Sequence, residues 1–184
     1  MSNALNQRKY RKFVSPSQFA AILGYDQYLT QENVKQEIEE GYLTYNNFAT
    51  DYGKNNEYIG LYFYQKIHKV TISRPKFVID KYNNRIGGIC DGIIDDDVGI
   101  EIKCHVCLRN LLTILPLKYL IQMAGYMYLY NKKKWILMSC FFHDDNNLSK
   151  YNIFEVHWDE VKDRWNQQWY PQLTNFINQV KWKN

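Results

Sequence analysis

One stretch of the chain, residues 85–104 with the sequence RIGGICDGIIDDDVGIEIKC, constrains the fold more than any other. Short apolar segments lie on both sides of an acidic triplet, residues 95–97. This pattern is typical of two strands joined by a tight connection, because isoleucine favours strands and aspartate is a common turn residue. The stretch therefore predicts a β-hairpin centred on Asp96.

The predicted hairpin brings charged side chains together. With Asp96 at its centre, Asp91 lies directly opposite Glu101. Strand side chains alternate between two faces, so Lys103 shares a face with Glu101 while the intervening isoleucines point the other way. A buried charge costs free energy unless it is paired or bound to a metal, so these three charged groups indicate a function rather than a requirement of folding.

This set of side chains fits metal-assisted hydrolysis of phosphodiesters. Two neighbouring carboxylates attract a hard cation such as Mg²⁺, which prefers oxygen ligands. The cation lowers the pKa of a bound water and stabilises charge on the phosphate, and a nearby lysine can orient or deprotonate the attacking water. Because Asp, Glu and Lys are common residues, the pattern alone leaves open an exposed hairpin with a simple Glu–Lys pair.

Longer motifs favour the nuclease interpretation. In chain order they are SPSQFAAILGY at 15–25, GKNNE at 53–57, DGIIDDDVGIEIKCHVCLR at 91–109 and YLIQMAGYMYLYNKKKWILMSCFF at 119–142. These motifs resemble the opening helix, the G-x-x-x-E helix, the nuclease core and the Gln-bearing helix with its strand in the lambda exonuclease and YqaJ-like viral recombinase family, a branch of the PD-(D/E)xK superfamily. The chain departs from that family in Cys90, where Pro often stands, in its short Asp-rich loop and in its compact length.

The resemblance implies a fold and a set of catalytic groups. The fold is an α/β, restriction-endonuclease-like core, with a central mixed β-sheet flanked by helices, in a single domain over residues 1–184. The implied catalytic residues are Asp91, Glu101, Lys103 and Gln122, of which Gln122 helps to position the lysine. The implied metal ligands are Glu57, Asp91, Glu101 and the backbone carbonyl of Ile102.

The resemblance also implies contacts with the end of the DNA. Ser17 falls in the first turn of a helix that Ser15 caps, where a hydroxyl and free amide groups can hold a phosphate. Arg11 and Lys12 precede this helix and Arg109 follows the core strand, near positions that surround the terminal phosphate in the family. Without the resemblance, a plain helix cap and a solvated basic arm are the simpler interpretations.

The function implied is that of a Mg²⁺-dependent DNA exonuclease acting in viral or phage recombination or repair. It would hydrolyse phosphodiester bonds from a 5′ end of double-stranded DNA, and Mn²⁺ would substitute for Mg²⁺. The resemblance allows a single-strand annealing protein as a partner and a ring-shaped homo-oligomer. Two alternatives stay open: a structure-specific or restriction-type endonuclease, and a catalytically inactive DNA-binding module of the same fold.

Composition is compatible with this function. The chain has 184 residues, 46% of them hydrophobic, which suffices for one core, and its formal charge of +4 mildly favours a polyanion. Without an apolar leader or a long apolar run we expect neither export nor a membrane span, and therefore an intracellular location, in the cytoplasm or where viral DNA is replicated. Four cysteines then predict reduced thiols, and a metal–thiolate site is disfavoured because the single C-x-x-C lacks a second pair at ligand spacing.

Periodicity and capping signals predict the remaining elements. Helices are expected between Ser15 and Gly24, at 31–40, 47–69 and 117–130, and from an Asp159 cap to about Val180 with Pro171 kinking or breaking the last one. Strands are expected at 70–80, 135–142 and 152–158. The predicted apolar face of the 47–69 helix consists of Tyr52, Ile59, Phe63 and Ile67.

Overall fold

The structure, a computed structural model, describes residues 11–41, 48–143 and 147–183. Its helices are α1 (Pro16–Ile22), α2 (Gln31–Glu39), α3 (Phe48–His68), α4 (Leu117–Tyr130), α5 (Trp158–Arg164) and α6 (Tyr170–Gln179), with a 3₁₀ turn at Leu108–Asn110 and a π-helical segment at Trp165–Trp169. Its strands are β1 (Ile72–Ser73), β2 (Val78–Ile79), β3 (Gly87–Gly88), β4 (Gly92–Ile94), β5 (Val98–His105), β6 (Lys134–Phe142) and β7 (Leu148–His157). Across these described ranges, no helix combines the length and the apolar character that a bilayer crossing requires.

A mixed five-stranded sheet forms the centre of the molecule, as predicted. Its strand order is β1-β4-β5-β6-β7, and a separate pair is formed by β2 and β3. The pair β5–β6 is parallel, and its crossover contains α4, whereas the other neighbours in the sheet are antiparallel. The parallel pair requires a helical crossover, because a tight turn can join only antiparallel strands.

The hairpin of β4 and β5 has the predicted register. Gly92 pairs with Ile100 and Ile94 with Val98, which centres the hairpin on Asp96. Asp95 and Asp96 have φ angles of 46° and 59°, and the N–H of Asp97 donates to the carbonyl of Ile94 at 2.9 Å. Two successive positive φ angles are those of a type I′ turn, whose twist matches that of the strands.

Each face of the sheet is covered by helices. On one face, Ile100 and Ile102 of β5 pack with Tyr64 of α3 in a small apolar cluster. On the other face, α1, α4 and the C-terminal helices form a larger core that includes Phe19 and Trp165. The side chains at 101 and 103 of β5 lie on the face that α4 covers, where Glu101 contacts Gln122 and Lys103 lies near the ring of Tyr119.

Helix α3 approaches β5 at a glycine. A Cβ atom on Gly60 would lie 2.5 Å from Cγ2 of Ile102, so only glycine permits this separation. The predicted apolar face of α3 is confirmed in part: Ile59 and Phe63 pack against the small apolar cluster, but Ile67 is 40% exposed. The buried positions of the helix among the described side chains are Asn56, Gly60 and Tyr64. Hydropathy missed this stripe because glycine carries no apolar side chain and Asn56 is buried with its amide bonded to the carbonyl of Tyr52 at 2.7 Å.

Three other boundaries differ from the prediction. The expected strand at 70–80 is divided into β1 and β2, and β7 begins at Leu148 rather than at 152. The last helical region is capped at His157, because Asp159 lies in the first turn and pairs with Lys162. Pro171, which lacks an N–H group, is accommodated after the π-helical segment, where the regular hydrogen-bond pattern has already changed. The predicted start of α3 at Asn47 lies outside the described residues.

Candidate active site

Glu101 is the centre of the site. This β5 residue is 4% exposed, and its Oε1 accepts hydrogen bonds from Lys103 Nζ and from Gln122 Nε2 of α4, both at 2.6 Å. Its Oε2 is buried and has no hydrogen-bond partner among the described residues. A buried carboxylate oxygen without a partner is costly, so this atom indicates that a ligand completes the site.

Asp91 lies beside Glu101, in the loop that leads into β4. Its Oδ2 accepts a hydrogen bond of 2.7 Å from the backbone N–H of Ile102. Burial raises the pKa of the Asp91 carboxyl well above its usual range, and the negative charges of Glu101 and Glu57 raise it further, against the lowering effects of Lys103 and of that N–H group. The hairpin register thus places the two carboxyls in one electrostatic environment, as the sequence predicted.

Glu57 of α3 belongs to the same environment. The side chain is half-buried, and burial together with the charge of Glu101 raises its pKa, while Lys103 and Lys54 act in the opposite direction. The carboxyl groups of Asp91 and Glu57, from different parts of the chain, are therefore both harder to ionise beside Glu101. A divalent cation would relieve this repulsion.

Lys103 remains an ammonium ion in this environment. Burial alone would lower its pKa, but the carboxylates of Glu101 and Asp91 outweigh burial and raise it. Its Nζ also lies 5.3 Å from the ring centroid of Tyr119 on α4. A protonated lysine held in this way can donate to an oxygen and orient it.

The donor set fits a hard divalent cation. Among residues 11–41, 48–143 and 147–183, no three His, Cys, Asp or Glu side chains converge closely enough to count as a ready metal-ligand group. The unpartnered Oε2 of Glu101 and the mutual repulsion of three carboxyls are nevertheless what an oxygen-ligated cation would satisfy. The assignment of Glu57, Asp91, Glu101 and the Ile102 carbonyl as ligands stays a prediction.

Cys90, which replaces the expected proline before Asp91, is a buried packing residue. Its Sγ lies 3.6 Å from the carbonyl oxygen of Gly92. Burial raises the pKa of its thiol to about 12, and the carboxylates of Glu101 and Asp91 add to this effect. A thiol with so high a pKa is a poor nucleophile and a poor metal ligand at neutral pH.

An open cleft of about 440 Å³ leads to the carboxylates. It is lined by Glu57 and Asp91, and also by residues that the sequence motifs did not single out: the cations Lys54 and Arg74 and the 61% exposed Tyr58. Residues 54, 57, 58 and 61 follow helical spacing, so the face of α3 that carries Glu57 was the available signal. Cations beside the carboxylates allow a polyanion to approach a site that would otherwise repel it.

The residues predicted to bind the terminal phosphate belong to two different parts of the fold, the start of α1 and the 3₁₀ turn after β5. The hydroxyls of Ser15 and Ser17 are 2.9 Å apart at the start of α1, and exposed Lys12 precedes them. Arg11 pairs with Glu37 of α2. Arg109 is exposed in the 3₁₀ turn after β5, and within the described residues no hydrogen bond joins it to the serines. Their role in binding DNA stays a prediction.

The family model of the YqaJ-like viral recombinase domain matches residues 5–133, and no curated protein gives a significant match. The solved alkaline exonuclease LHK-Exo of Laribacter hongkongensis is similar with a TM-score of 0.73 and 17% identity, over 91% of this chain and 89% of that one. The same exonuclease in complex with dAMP is similar with a TM-score of 0.69 and 16% identity, over 91% of this chain and 89% of that one. A phage related exonuclease of Haemophilus somnus 129PT is similar with a TM-score of 0.60 and 18% identity, over 91% of this chain and 97% of that one. The predicted restriction-endonuclease-like fold is confirmed.

Proposed function

Because the chain belongs to the YqaJ-like viral recombinase domain family, we propose that it is a metal-dependent deoxyribonuclease that removes nucleotides from a 5′ end of duplex DNA. The observation that carries the proposal is the buried Glu101, with Lys103 and Gln122 on one oxygen and, within the described part of the chain, no partner on the other. Two solved proteins of the same fold are described as exonucleases, which supports this reaction class over the alternatives.

Different side chains of the site would have different roles in hydrolysis. Asp91 and Glu101 would hold a divalent cation, with Glu57 and the Ile102 carbonyl completing its shell, and the bound cation would lower the pKa of a water and stabilise charge on the phosphate. Gln122 fixes the rotamer of Glu101 through its 2.6 Å hydrogen bond. Lys103 would donate a hydrogen bond to the attacking water or to a phosphate oxygen, and thereby orient it. We propose Mg²⁺, with Mn²⁺ as a substitute, because the ligands are all hard oxygens.

The decisive experiment compares linear and closed circular DNA of the same sequence in Mg²⁺. We expect degradation of the linear DNA alone, abolished by EDTA and reduced by orders of magnitude in Asp91→Asn and Lys103→Ala. Cutting of the circle would make the protein an endonuclease instead. Activity that survives exhaustive EDTA treatment, or near wild-type turnover in either variant, would overturn the mechanism.

A second experiment tests the proposed contact with the DNA end. A guanidinium group binds a terminal phosphate dianion through charge-assisted hydrogen bonds, each contributing about 1.5–3 kcal/mol. We therefore expect 5′-phosphorylated ends to be digested at least about tenfold faster than 5′-hydroxyl ends, and Arg109→Ala to lose this preference. Arg164→Ala, at an exposed arginine of α5, is the matched control and should keep it. Equal rates on both ends in the wild type would remove Arg109 from the mechanism.

A further inference from the structure

A surface of alternating aromatic rings and ammonium groups extends outwards from Lys103. The Nζ of Lys118 lies 5.1 Å from the ring centroid of Tyr119 and 5.5 Å from the ring centroid of Tyr28. The ring of Tyr119 is also the one that the Nζ of Lys103 approaches. These distances are within the range of cation–π attraction. Tyr28, Lys118 and Tyr119 therefore form a continuous path from the solvent to the catalytic lysine, which we call the Tyr28 surface.

The turn that carries Tyr28 holds the ring in solvent. Tyr28 is 86% exposed, although a large aromatic side chain is normally covered. Its backbone N–H and that of Leu29 donate to Oδ1 of Asp26, at 2.8 and 3.2 Å, so the chain is fixed just where the ring projects. An exposed ring on an ordered turn loses little conformational entropy when a flat partner stacks on it.

A cleft beside the ring has room for a flat group. It measures about 360 Å³ and is lined by Tyr25, Tyr28, Pro116, Leu117 and Lys118, of which Tyr25 is 41% exposed. Lys118 forms an ion pair with Asp26, its Nζ lying 3.8 Å from Oδ2, which is beyond hydrogen-bonding distance, so the N–H donors of its ammonium group can still reach an oxyanion. The cleft thus combines apolar walls and aromatic faces with one cation at its edge.

We propose that the Tyr28 surface binds an unpaired DNA strand, with a nucleobase stacked on Tyr28 and the adjoining phosphate on Lys118. Aromatic platforms interleaved with cations are the usual way of binding single strands without regard to sequence, because every base has a stacking face. Bases inside a duplex are already stacked, so the surface selects the unpaired strand. This inference rests on the proposed function in one respect: digestion of one strand of a duplex end leaves the other strand unpaired beside the site.

The test measures binding of a fluorescent single-stranded oligothymidylate by anisotropy, in EDTA so that no cleavage occurs. Tyr28→Ala should weaken binding about tenfold or more, and Tyr28→Phe, which keeps the ring, should bind within about twofold of the wild type. Lys118→Ala should also reduce the steepness with which affinity falls as salt rises, since one phosphate contact is lost. On an oligonucleotide whose sugars carry no bases, wild type and Tyr28→Ala should bind equally.

Tyr82→Ala is the matched control. Tyr82 is 74% exposed and lies under an ammonium group as Tyr28 does, with Lys81 Nζ 4.7 Å from its ring centroid, but it is in the loop between β2 and β3. Its replacement should leave single-strand binding unchanged. Thermal melting of each variant establishes that the exposed substitutions preserve the fold.

Each outcome separates this inference from the proposed function. Unchanged affinity in Tyr28→Ala, or an equal loss in Tyr82→Ala, would overturn the inference while leaving cleavage of linear DNA untouched. A change of oligomeric state in Tyr28→Ala, seen by light scattering, would overturn it too and make the surface a contact between copies of the chain. Tyr28-dependent binding by a protein that cuts no DNA would support the inference and overturn the proposed function.

Discussion

The hydrogen bond from Gln122 determines which carboxylate oxygen of Glu101 is left for a ligand. The amide of Gln122 and the ammonium of Lys103 both occupy Oε1, and Oε2 stays without a partner among the described residues. The side chain of Gln122 is itself 6% exposed. A buried Glu101 that could rotate would lose the geometry that the proposed reaction needs, so we propose that the uncharged Gln122 acts as a positioning group.

Gln122→Leu tests this role. The apolar replacement keeps most of the volume but removes a charge-assisted hydrogen bond, so we expect kcat to fall about tenfold, with a smaller change in KM. Steady-state digestion of linear DNA measures both constants, and thermal melting reports the fold. Ser139→Ala, at another buried polar residue, should lower stability without a comparable fall in kcat. Unaltered kcat in Gln122→Leu would show that Glu101 needs no such support.

Asp91→Asn should stabilise the metal-free protein at alkaline pH. Burial and neighbouring carboxylates raise the pKa of Asp91 in the folded state, so the folded protein holds this proton more tightly than the unfolded chain. The free energy of unfolding therefore falls as pH rises from about 4 through the raised pKa, and the full penalty is present above it. In EDTA the Tm gain of Asp91→Asn should be clear at pH 8 and vanish near pH 4. Asp163→Asn, at an exposed aspartate of α5, is expected to show no such dependence.

Gly60 sets the distance between two elements that carry the site. Glu57 lies one turn before Gly60 on α3. Gly60 packs against Ile102, which lies between Glu101 and Lys103 on β5. We expect Gly60→Ala to cost about 1–3 kcal/mol of stability and to reduce activity, because a Cβ atom would lie 2.5 Å from Cγ2 of Ile102. Gly53→Ala on the same helix meets no described atom within 4 Å, and should gain about 0.5–1 kcal/mol. Urea unfolding of the Gly60→Ala and Gly53→Ala variants measures both changes in stability. Equal changes would refute the close packing of Gly60 against Ile102.

The hairpin turn is another element whose sequence can be improved. Asp96 has a φ of 59°, a conformation that glycine adopts without strain and other residues adopt at a cost. Asp96→Gly should therefore raise the free energy of unfolding by about 1 kcal/mol, because Gly is preferred at this position of a type I′ turn. Asp97→Gly, one residue outside the turn's centre, should lower it. A loss of stability in Asp96→Gly would mean that the aspartate contributes through its side chain.

The sequence predicted the elements whose signals are local. The hairpin register, the ends of α4 and the family all followed from short motifs, and the structure and comparisons confirm them. It could not predict the buried stripe of α3, because Asn56 and Gly60 are buried through contacts with other parts of the chain. The positions of Lys54, Arg74 and Tyr119 beside the site could not be predicted for the same reason, because they depend on neighbours that are distant in sequence.

At the scale of the whole molecule, the proposed metal site would couple cation binding to folding. Glu57, Asp91 and Glu101 come from α3, from the loop before β4 and from β5, so a cation that binds them all stabilises only the folded state. Mg²⁺ at 100 times its Kd should raise Tm by roughly 5–10 °C. Scanning calorimetry with Mg²⁺ and with EDTA measures the shift. Glu101→Gln should lose most of it, and an undiminished shift in that variant would place the cation elsewhere.

The C-terminal helices reach back to the first described residues. Trp165 packs 5.9 Å from Phe19 between ring centroids, and the N–H of Lys181 donates to Glu39 at 2.9 Å. The core beneath α1 and α4 is therefore unfilled until the segment after β7 has emerged from the ribosome. A nascent chain that already contains all the proposed catalytic groups would still lack the packing that holds α4, and with it Gln122, against the site. We therefore expect nuclease activity to appear only after the segment that ends near Val180, a buried residue of this core, is free to pack.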